Sequence, residues 1–123
     1  MLKFLIVLPY YQRPNIVRNA LNSVKTLTYS NWELAIIDDG SDIPIEPIAR
    51  DILSEYLDKI KFYQTKDTIE LKIQRQSIHG QYINIAIQDS NADIVIILCD
   101  DDALMSDYLN KLMDVYINYG LEN

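Results

Sequence analysis

The amino-acid sequence predicts an α/β fold with a mainly parallel sheet of about four strands and helices on both faces. Short apolar runs recur along the 123 residues, and segments with apolar residues at helical spacing separate them. Strands that are apolar throughout are typical of a parallel sheet that is covered on both sides. Since no repeat, low-complexity segment or linker interrupts the pattern, we expect a single domain over residues 1–123.

The first strand and helix are predicted from an apolar run followed by an amphipathic segment. Residues 2–8 (LKFLIVL) stop at Pro9, which indicates a short buried strand. Pro14 then lies near the first turn of a helix, where its missing N–H costs little. The apolar side of this helix is expected at Val17, Ala20, Leu21, Val24 and Leu27.

The second strand and helix are followed by a third strand. Residues 32–38 (WELAIID) are predicted to form a strand that ends at an Asp-Gly turn. Glu46 and Pro47 begin a helix, and residues 59–65 alternate polar and apolar side chains as a half-buried strand does. The core-facing side of the second helix is expected at Ile48, Ile52, Tyr56 and Leu57.

The last helix, strand and helix follow a polar segment, residues 66–77, that no pattern places. Residues 78–89 have the apolar spacing of a helix, and residues 92–99 (ADIVIILC) predict a buried strand. Ser106 is expected to cap the final helix. The apolar positions of that helix are Leu109, Leu112, Met113 and Tyr116.

Two acidic clusters follow strands two and four. Asp38 and Asp39 end the second strand, and Asp100, Asp101 and Asp102 stand side by side after the fourth. If both strands flank the first, these carboxylates meet at the carboxyl edge of the sheet, where such folds bind ligands. Their mutual repulsion would destabilise the fold, and a magnesium-, manganese- or calcium-like cation would relieve it. The alternative is that these acids only cap helices and solvate turns.

The composition excludes several classes of function. The net charge of −7 argues against nucleic acid or an anionic membrane surface as the main partner. A single histidine, His79, and a single cysteine, Cys99, argue against a zinc site and exclude an internal disulfide, which fits a reducing cytoplasm. No apolar run reaches the roughly 18 to 20 residues that span a bilayer, so no membrane segment is expected.

Several further side chains are candidates for a ligand site. Tyr11 follows the first strand and either packs in the fold or stacks on a nucleobase. Asp39 either belongs to a simple Asp-Gly turn or accepts a hydrogen bond from a base or ribose. Three basic residues of the polar segment are either surface charges or contacts to a diphosphate: Lys66, Lys72 and Arg75.

Two long segments resemble parts of one enzyme family. Residues 4–42 run through a strand, a helix and a second strand into Asp-Asp-Gly-Ser. Residues 79–109 contain NIAIQDSNADIVIILCDDD, an Asn-x-Ala-Ile helix followed by an apolar strand and an acidic motif. In this order the motifs resemble the nucleotide-binding half of family 2 glycosyltransferases, which have the Rossmann-like GT-A fold. The likeness is greatest to members that act in spore-coat polysaccharide synthesis.

The resemblance implies a nucleotide site at the positions that match the family. Tyr11 would lie against the uracil, and Asp39 would accept a hydrogen bond from the base. Asp38 would support that loop, and Asp100 would lie near the ribose. The full set of implied nucleotide-binding residues is Pro9, Tyr11, Arg13, Asp38, Asp39 and Asp100.

The resemblance also implies a manganese or magnesium site. The family's usual motif is Asp-x-Asp-Asp, and it aligns with residues 99–102, so that Asp101 takes the metal-ligand position beside Asp102. Cys99 stands where the first acid usually is, which is a departure from the family's pattern. A second register, with Asp100 and Asp102 as the acid pair, stays open.

The implied function is transfer of a sugar from a nucleotide-diphospho-sugar, with UDP as the nucleotide, to a carbohydrate hydroxyl with inversion. The resemblance implies an enzyme of polysaccharide biosynthesis, and the single cysteine predicts a cytoplasmic location. The family's acceptor-binding half and general base would follow residue 123, so no base is assigned. The alternatives are a donor-binding module without turnover and a receiver-like signalling domain. An exposed sheet edge would allow a homo-oligomer.

Overall fold

The computed structural model of the chain describes residues 1–65 and 80–119. The strands of these residues are β1 (Phe4–Tyr10), β2 (Trp32–Asp38), β3 (Ile60–Gln64) and β4 (Ile94–Ile97). They form one parallel sheet in the order β3-β2-β1-β4, so β1 lies between β2 and β4. The predicted α/β class is confirmed, and so is the expectation that strands two and four both flank strand one.

Helices cover both faces of this sheet, as predicted. Leu21, Ala49 and Leu109 of three helices pack with one face, whereas Ala86 of the remaining helix packs with the other. The helices on the first face are α1 (Val17–Lys25), α2 (Glu46–Ile52) and α4 (Tyr108–Tyr119), and the helix on the second face is α3 (Gly80–Asp89). A short 3₁₀ helix (Ser54–Lys59) follows α2.

The central strand β1 supplies much of the core because both of its faces are covered. Phe4, Ile6 and Leu8 pack with α1, and the alternating residues Leu5 and Val7 pack with α3. None of these side chains is more than 2% exposed. A large-to-small substitution in such a position typically costs about 2–5 kcal/mol of stability.

Strand β4 differs from its prediction in length and in burial. It extends over Ile94–Ile97 instead of residues 92–99, and Val95 is 38% and Ile97 49% exposed. The physical reason is position: β4 is the last strand of the sheet, and within the described residues no strand pairs with its outer edge. An apolar run of this kind is the same in a central strand and in an edge strand, so the sequence does not separate the two.

Strand β1 and the second helix also differ from the sequence-based expectation. β1 does not stop before Pro9 but continues to Tyr10, with Pro9 opposite Ile37 in the ladder. The second helix ends at Ile52, and the backbone leaves helical geometry at Tyr56 (φ −123°, ψ 19°) in the following 3₁₀ helix. Leu57 is therefore 38% exposed instead of facing the core, because the 3.6-residue period is not maintained.

The last helix begins one residue later than the predicted cap implies. The Lys111 amide donates to the Asp107 carbonyl at 3.0 Å, so Asp107 rather than Ser106 occupies the capping position. The Ser106 carbonyl instead accepts a hydrogen bond from the Thr28 amide at 2.9 Å. For the third helix, the expected start at residue 78 lies outside the described residues.

Candidate functional site

The loops that follow β1, β2 and β4 lie side by side because these strands are neighbours in a parallel sheet. The Asp39 amide donates to the Tyr10 carbonyl at 3.0 Å, which links the ends of β2 and β1. The Leu98 amide donates to the Val7 carbonyl at 2.8 Å, which keeps the chain after β4 beside β1. Both acidic clusters are thereby at the same edge of the sheet.

Asp38 is a buried carboxylate that holds the loop after β2. Its Oδ1 accepts a hydrogen bond from the Ser41 amide at 3.0 Å, and its Oδ2 accepts one from the Ile45 amide at 2.9 Å. The residue is 5% exposed. Gly40 lies between these contacts with φ 72°, a backbone conformation that favours glycine. Both carboxylate oxygens of Asp38 thus serve the shape of the loop.

Asp39 is fully buried and is held by the residue that follows β3. The Thr65 hydroxyl donates to Asp39 Oδ1 at 2.8 Å, and the Thr65 amide donates to the Asp38 carbonyl at 2.9 Å. Thr65 was not among the site residues predicted from the sequence. Its place directly after a predicted strand was a signal that could have identified it, since all parallel strands end at this edge.

Gln12 shapes the loop after β1, and sequence analysis did not select it either. It has φ 57°, a left-handed conformation that is uncommon for a residue other than glycine. Its amide donates to Ser41 Oγ at 3.0 Å, and its side-chain oxygen accepts from the Asp42 amide at 2.9 Å. The loop after β1 is therefore attached to the loop after β2.

The tyrosines and the proline after the apolar part of β1 have different environments. Tyr10 is 1% exposed and its hydroxyl donates to the Ile43 carbonyl at 2.9 Å. Burial, and then the negative charges of Asp38 and Asp100, raise the pKa of Tyr10. Tyr11 is 37% exposed, and Pro9 is partly buried in β1. Of these side chains, Tyr11 is the aromatic ring accessible at the edge.

Arg13 connects the loop after β1 with the second acidic cluster. Its Nε donates to Asp100 Oδ2 at 2.9 Å, and its Nη2 donates to Asp100 Oδ1. The hydrogen bond and the charge of Asp100 raise the pKa of Arg13. Asp100 is 8% exposed, and Asp101 Oδ2 lies 3.9 Å from Arg13 Nη2. The guanidinium thus donates hydrogen bonds to both oxygens of Asp100 and lies close to the carboxylate of Asp101.

Cys99, Asp101 and Asp102 form the group in the second cluster that can surround a cation. One ligand atom from each lies within 4.8 Å of the other two, and all three residues are exposed. Partial burial, and then the charges of the neighbouring aspartates, raise the pKa of the Cys99 thiol. Two exposed carboxylates beside a protonated thiol fit a hard cation such as Mg²⁺ or Mn²⁺, which prefers oxygen ligands and retains water or phosphate in its shell.

Some predicted site residues cannot be placed against these loops. Lys66, Lys72, Arg75 and His79 lie outside the described residues. The structure places the remaining candidates at one edge of the sheet. Pro9 and Asp38 are in the last residues of β1 and β2, and the other predicted nucleotide-binding and metal-binding residues are in the loops that follow β1, β2 and β4. Within residues 1–65 and 80–119, none of the helices has the length and apolar character that a membrane span requires.

Comparison with known proteins identifies relatives over nearly the whole chain. The model of the family described as Glycosyl transferase family 2 matches residues 5–122. Glycosyltransferase GlyA of Streptococcus pneumoniae is 26% identical over 95% of this chain and 15% of its own length. The succinoglycan biosynthesis protein ExoW of Rhizobium meliloti is 30% identical over 89% of this chain and 32% of its own length. The chain spans a third or less of the curated relatives it matches.

Solved structures share the fold at low sequence identity. TarS of S. aureus in complex with UDP superimposes with a TM-score of 0.75 and 18% identity, covering 96% of this chain and 33% of that one. The mannosyltransferase PcManGT of Pyrobaculum calidifontis, in complex with GDP-Man and Mn²⁺, gives a TM-score of 0.73 and 16% identity, covering 95% and 33%. These similarities establish the architecture of the sheet and its helices.

Proposed function

Because the chain belongs to glycosyl transferase family 2, we propose that it is the donor-binding domain of a glycosyltransferase. It binds a nucleotide-diphospho-sugar, with UDP as the nucleotide, and the sugar is transferred with inversion to an acceptor hydroxyl. The observation that carries the proposal is the meeting of three loops, which places the buried Asp39 and the exposed Asp101 at one sheet edge. A receiver-like signalling domain has no support from the family match.

The nucleotide end of the proposed site consists of the loops after β1 and β2. Tyr11 is exposed at this edge and offers a ring for stacking on the base. Asp39 lies beside Thr65 in a loop whose shape is maintained by Asp38. The TarS structure with bound UDP has the same fold, which supports UDP as the first nucleotide to test. Pro9, Arg13 and Asp100 complete the proposed nucleotide contacts.

The metal end consists of Asp101 and Asp102, which would hold Mn²⁺ or Mg²⁺. When bound, such a cation stabilises the negative charge that develops on the departing diphosphate. The carboxylates of Asp101 and Asp102 would hold the cation, and Arg13 keeps Asp100 in place beside them. The PcManGT structure with GDP-Man and Mn²⁺ supports the same pairing of nucleotide sugar and cation.

Residues 1–123 would form a single nucleotide-sugar-binding domain. No general base is assigned among the described residues. The acceptor would be a carbohydrate, as the name of the succinoglycan relative suggests for that protein. A cytoplasmic location remains a prediction.

Calorimetric titration of UDP into the protein tests the proposal. UDP should bind in the presence of Mn²⁺, and excess chelator should abolish binding. GDP serves as the nucleotide control. Asp101→Ala should weaken UDP binding at least about tenfold, since a ligand of the cation is lost. Asp51→Ala removes a carboxylate from the exposed surface of α2 and should leave binding unchanged. Absence of UDP binding to the folded protein would contradict the proposal.

The second candidate function is a donor-binding module without turnover, since the loops at this sheet edge could hold a nucleotide-sugar whether or not transfer follows. Incubation with UDP-sugars and a panel of carbohydrate acceptors separates the two. Release of UDP that depends on acceptor identifies an enzyme. Tight UDP-sugar binding without release, in a protein whose binding responds to Asp101→Ala, identifies a binding module.

A further inference from the structure

Arg13 occupies both oxygens of one carboxylate in a row of three. We propose that Arg13 is a positioning residue that selects which two of the three aspartates hold the cation, leaving Asp101 and Asp102 as the pair and excluding Asp100. The inference rests on the proposed function, and it decides between the two registers that the sequence leaves open. It concerns the order of the ligands and is independent of which nucleotide binds.

The Arg13–Asp100 pair withholds Asp100 from a cation because it occupies both carboxylate oxygens, although the Arg13 side chain is 45% exposed. Nε and Nη2 of the guanidinium bind the two oxygens of Asp100, a bidentate arrangement that combines charge and direction. The Asp100 side chain is 11% exposed, so water screens the pair little on that side. A cation that took an Asp100 oxygen would lie next to the guanidinium, and the two positive charges would repel each other.

The position of Arg13 is imposed by the preceding residue. Gln12 adopts its left-handed conformation while its backbone amide binds Ser41 and its side chain binds Asp42 at both polar atoms. These contacts attach Gln12 to the loop after β2, the loop that the buried Asp38 holds. Arg13 therefore extends toward Asp100 from a loop whose conformation these hydrogen bonds stabilise.

The two remaining carboxylates are more exposed than Asp100, and Arg13 makes no hydrogen bond to Asp101. The Asp101 side chain is 59% exposed, and its Oδ2 is 3.9 Å from Arg13 Nη2, beyond hydrogen-bond distance. Ligand atoms of Asp101 and Asp102 lie within 4.8 Å of each other. A cation between them can keep water or phosphate on its open side, and the guanidinium stays on the side of Asp100. Charge and geometry thus favour the same pair.

Mn²⁺ binding, measured by the electron paramagnetic resonance signal of the free ion and without nucleotide, tests the selection. Asp101→Ala should weaken binding at least about tenfold. In the double variant Arg13→Met with Asp101→Ala, the released Asp100 can pair with Asp102, and at least about tenfold of the lost affinity should return. Adding Asp100→Asn to the double variant should remove this recovery.

A matched control separates selection from a general effect of charge. Arg18 lies on the exposed surface of α1, and Arg18→Met with Asp101→Ala removes the same charges but leaves the Arg13–Asp100 pair intact. This variant should bind Mn²⁺ as weakly as Asp101→Ala alone. Equal recovery in the Arg18 and Arg13 variants would overturn the proposal, because Arg13 would then act only through net charge.

Further outcomes are equally decisive. If Arg13→Met does not fold by circular dichroism, Arg13→Lys with Asp101→Ala replaces it, because a point charge cannot hold both oxygens of Asp100 and recovery should still be measurable. No recovery in any folded Arg13 variant, or wild-type binding retained in Asp101→Ala, would overturn the selection. These results are read without UDP, so a UDP titration that fails beside an intact Mn²⁺ pattern contradicts the proposed function and not the selection by Arg13.

Discussion

At the amino ends of the strands, charged side chains are paired with each other, whereas at the carboxyl ends negative charge accumulates. Lys3 lies just before β1, and its Nζ is 3.1 Å from Glu33 Oε2. The Lys3 backbone amide donates to Asp93 Oδ2 at 2.9 Å. The Lys3 side chain also donates to Asn91 at 2.8 Å. Glu33 additionally accepts a hydrogen bond from the Ser90 hydroxyl. The amino end therefore satisfies its own charges and polar groups.

The carboxyl end collects the five aspartates of the two acidic clusters, Asp38 and Asp39 at the end of β2 and Asp100, Asp101 and Asp102 after β4. Among the ion pairs of the described residues, those at this end involve Arg13 alone as the cation. Asp38 and Asp39 are buried and hydrogen-bonded within the fold, but Asp101 and Asp102 are exposed. Some aspartates at this end therefore stabilise the loops of the fold, whereas others face solvent, as a site for a cation would require.

The largest loss of stability is expected when a buried carboxylate at the carboxyl end of the sheet is removed. Asp38→Ala removes the acceptor for the Ser41 and Ile45 amides, of which the Ile45 contact is buried. The free energy of unfolding should fall by about 2–4 kcal/mol, because a buried donor is left without an acceptor. Urea unfolding measures the change. Asp42→Ala, which removes an exposed contact to Gln12, should cost about 0.5–1 kcal/mol, and an equal loss in both would contradict the distinction.

A smaller loss of stability is expected when the hydroxyl of Thr65, which donates to Asp39, is removed. Thr65→Val keeps the shape of a side chain that is 1% exposed but removes the hydroxyl that binds Asp39 Oδ1. The free energy of unfolding should fall by about 1–2 kcal/mol. Thr28→Val is the matched control, since its hydroxyl makes exposed contacts, and it should change stability by about 0.5 kcal/mol or less. A Thr65 effect no greater than the control would show that Asp39 does not need this partner.

At the amino end, Glu33→Gln should have an effect that depends on pH. Burial alone would raise the Glu33 pKa, but the hydrogen bonds from Ser90 and Lys3 and the charges of Lys3 and Lys61 lower it overall. A lowered folded-state pKa gives stability that is present above the ordinary value of 4.5 and is lost as the pH falls through the folded-state value.

Urea unfolding of Glu33→Gln should therefore show a loss of about 1 kcal/mol at pH 7 and no loss in strong acid. Glu55→Gln is the control, because its side chain is 69% exposed and lies 4.0 Å from Lys25. A Glu33 effect that is constant with pH would contradict the role of its charge.

The smallest effect at neutral pH is expected for Tyr63→Phe, about 0.5 kcal/mol. Burial, and then the hydrogen bond to Asp89 at 2.8 Å, raise the pKa of Tyr63 to about 12. The stability linked to this proton is complete below the ordinary value of 10.0 and is lost as the pH rises through about 12.

Absorbance of the phenolate group should show a late-titrating tyrosine that is absent in Tyr63→Phe. Tyr119→Phe, at a position that is 78% exposed, should leave that late component in place. A titration of Tyr63→Phe that matches the wild type would assign the late component to another tyrosine.

Predictability from sequence differed between the strands and the contacts of the site. The predicted strand over residues 32–38 matches β2 (Trp32–Asp38), and residues 59–65 contain β3 (Ile60–Gln64). Apolar runs report local burial directly. By contrast, Leu57 is exposed because of a backbone kink, and Ile97 is exposed because β4 lies at the edge of the sheet. Neither feature changes the pattern of residue types that a sequence displays.

The sequence by itself determined the alternation of strands and helices and the two acidic clusters after strands, because hydrophobic period and residue type are local properties. Only the tertiary structure decided how the acids are used. The order β3-β2-β1-β4 brings Arg13 to Asp100, which is 87 residues away in the chain, and brings Thr65 to Asp39. Burial and hydrogen-bond partners belong to neighbours in space, so they divide chemically identical aspartates into loop supports and exposed candidate ligands.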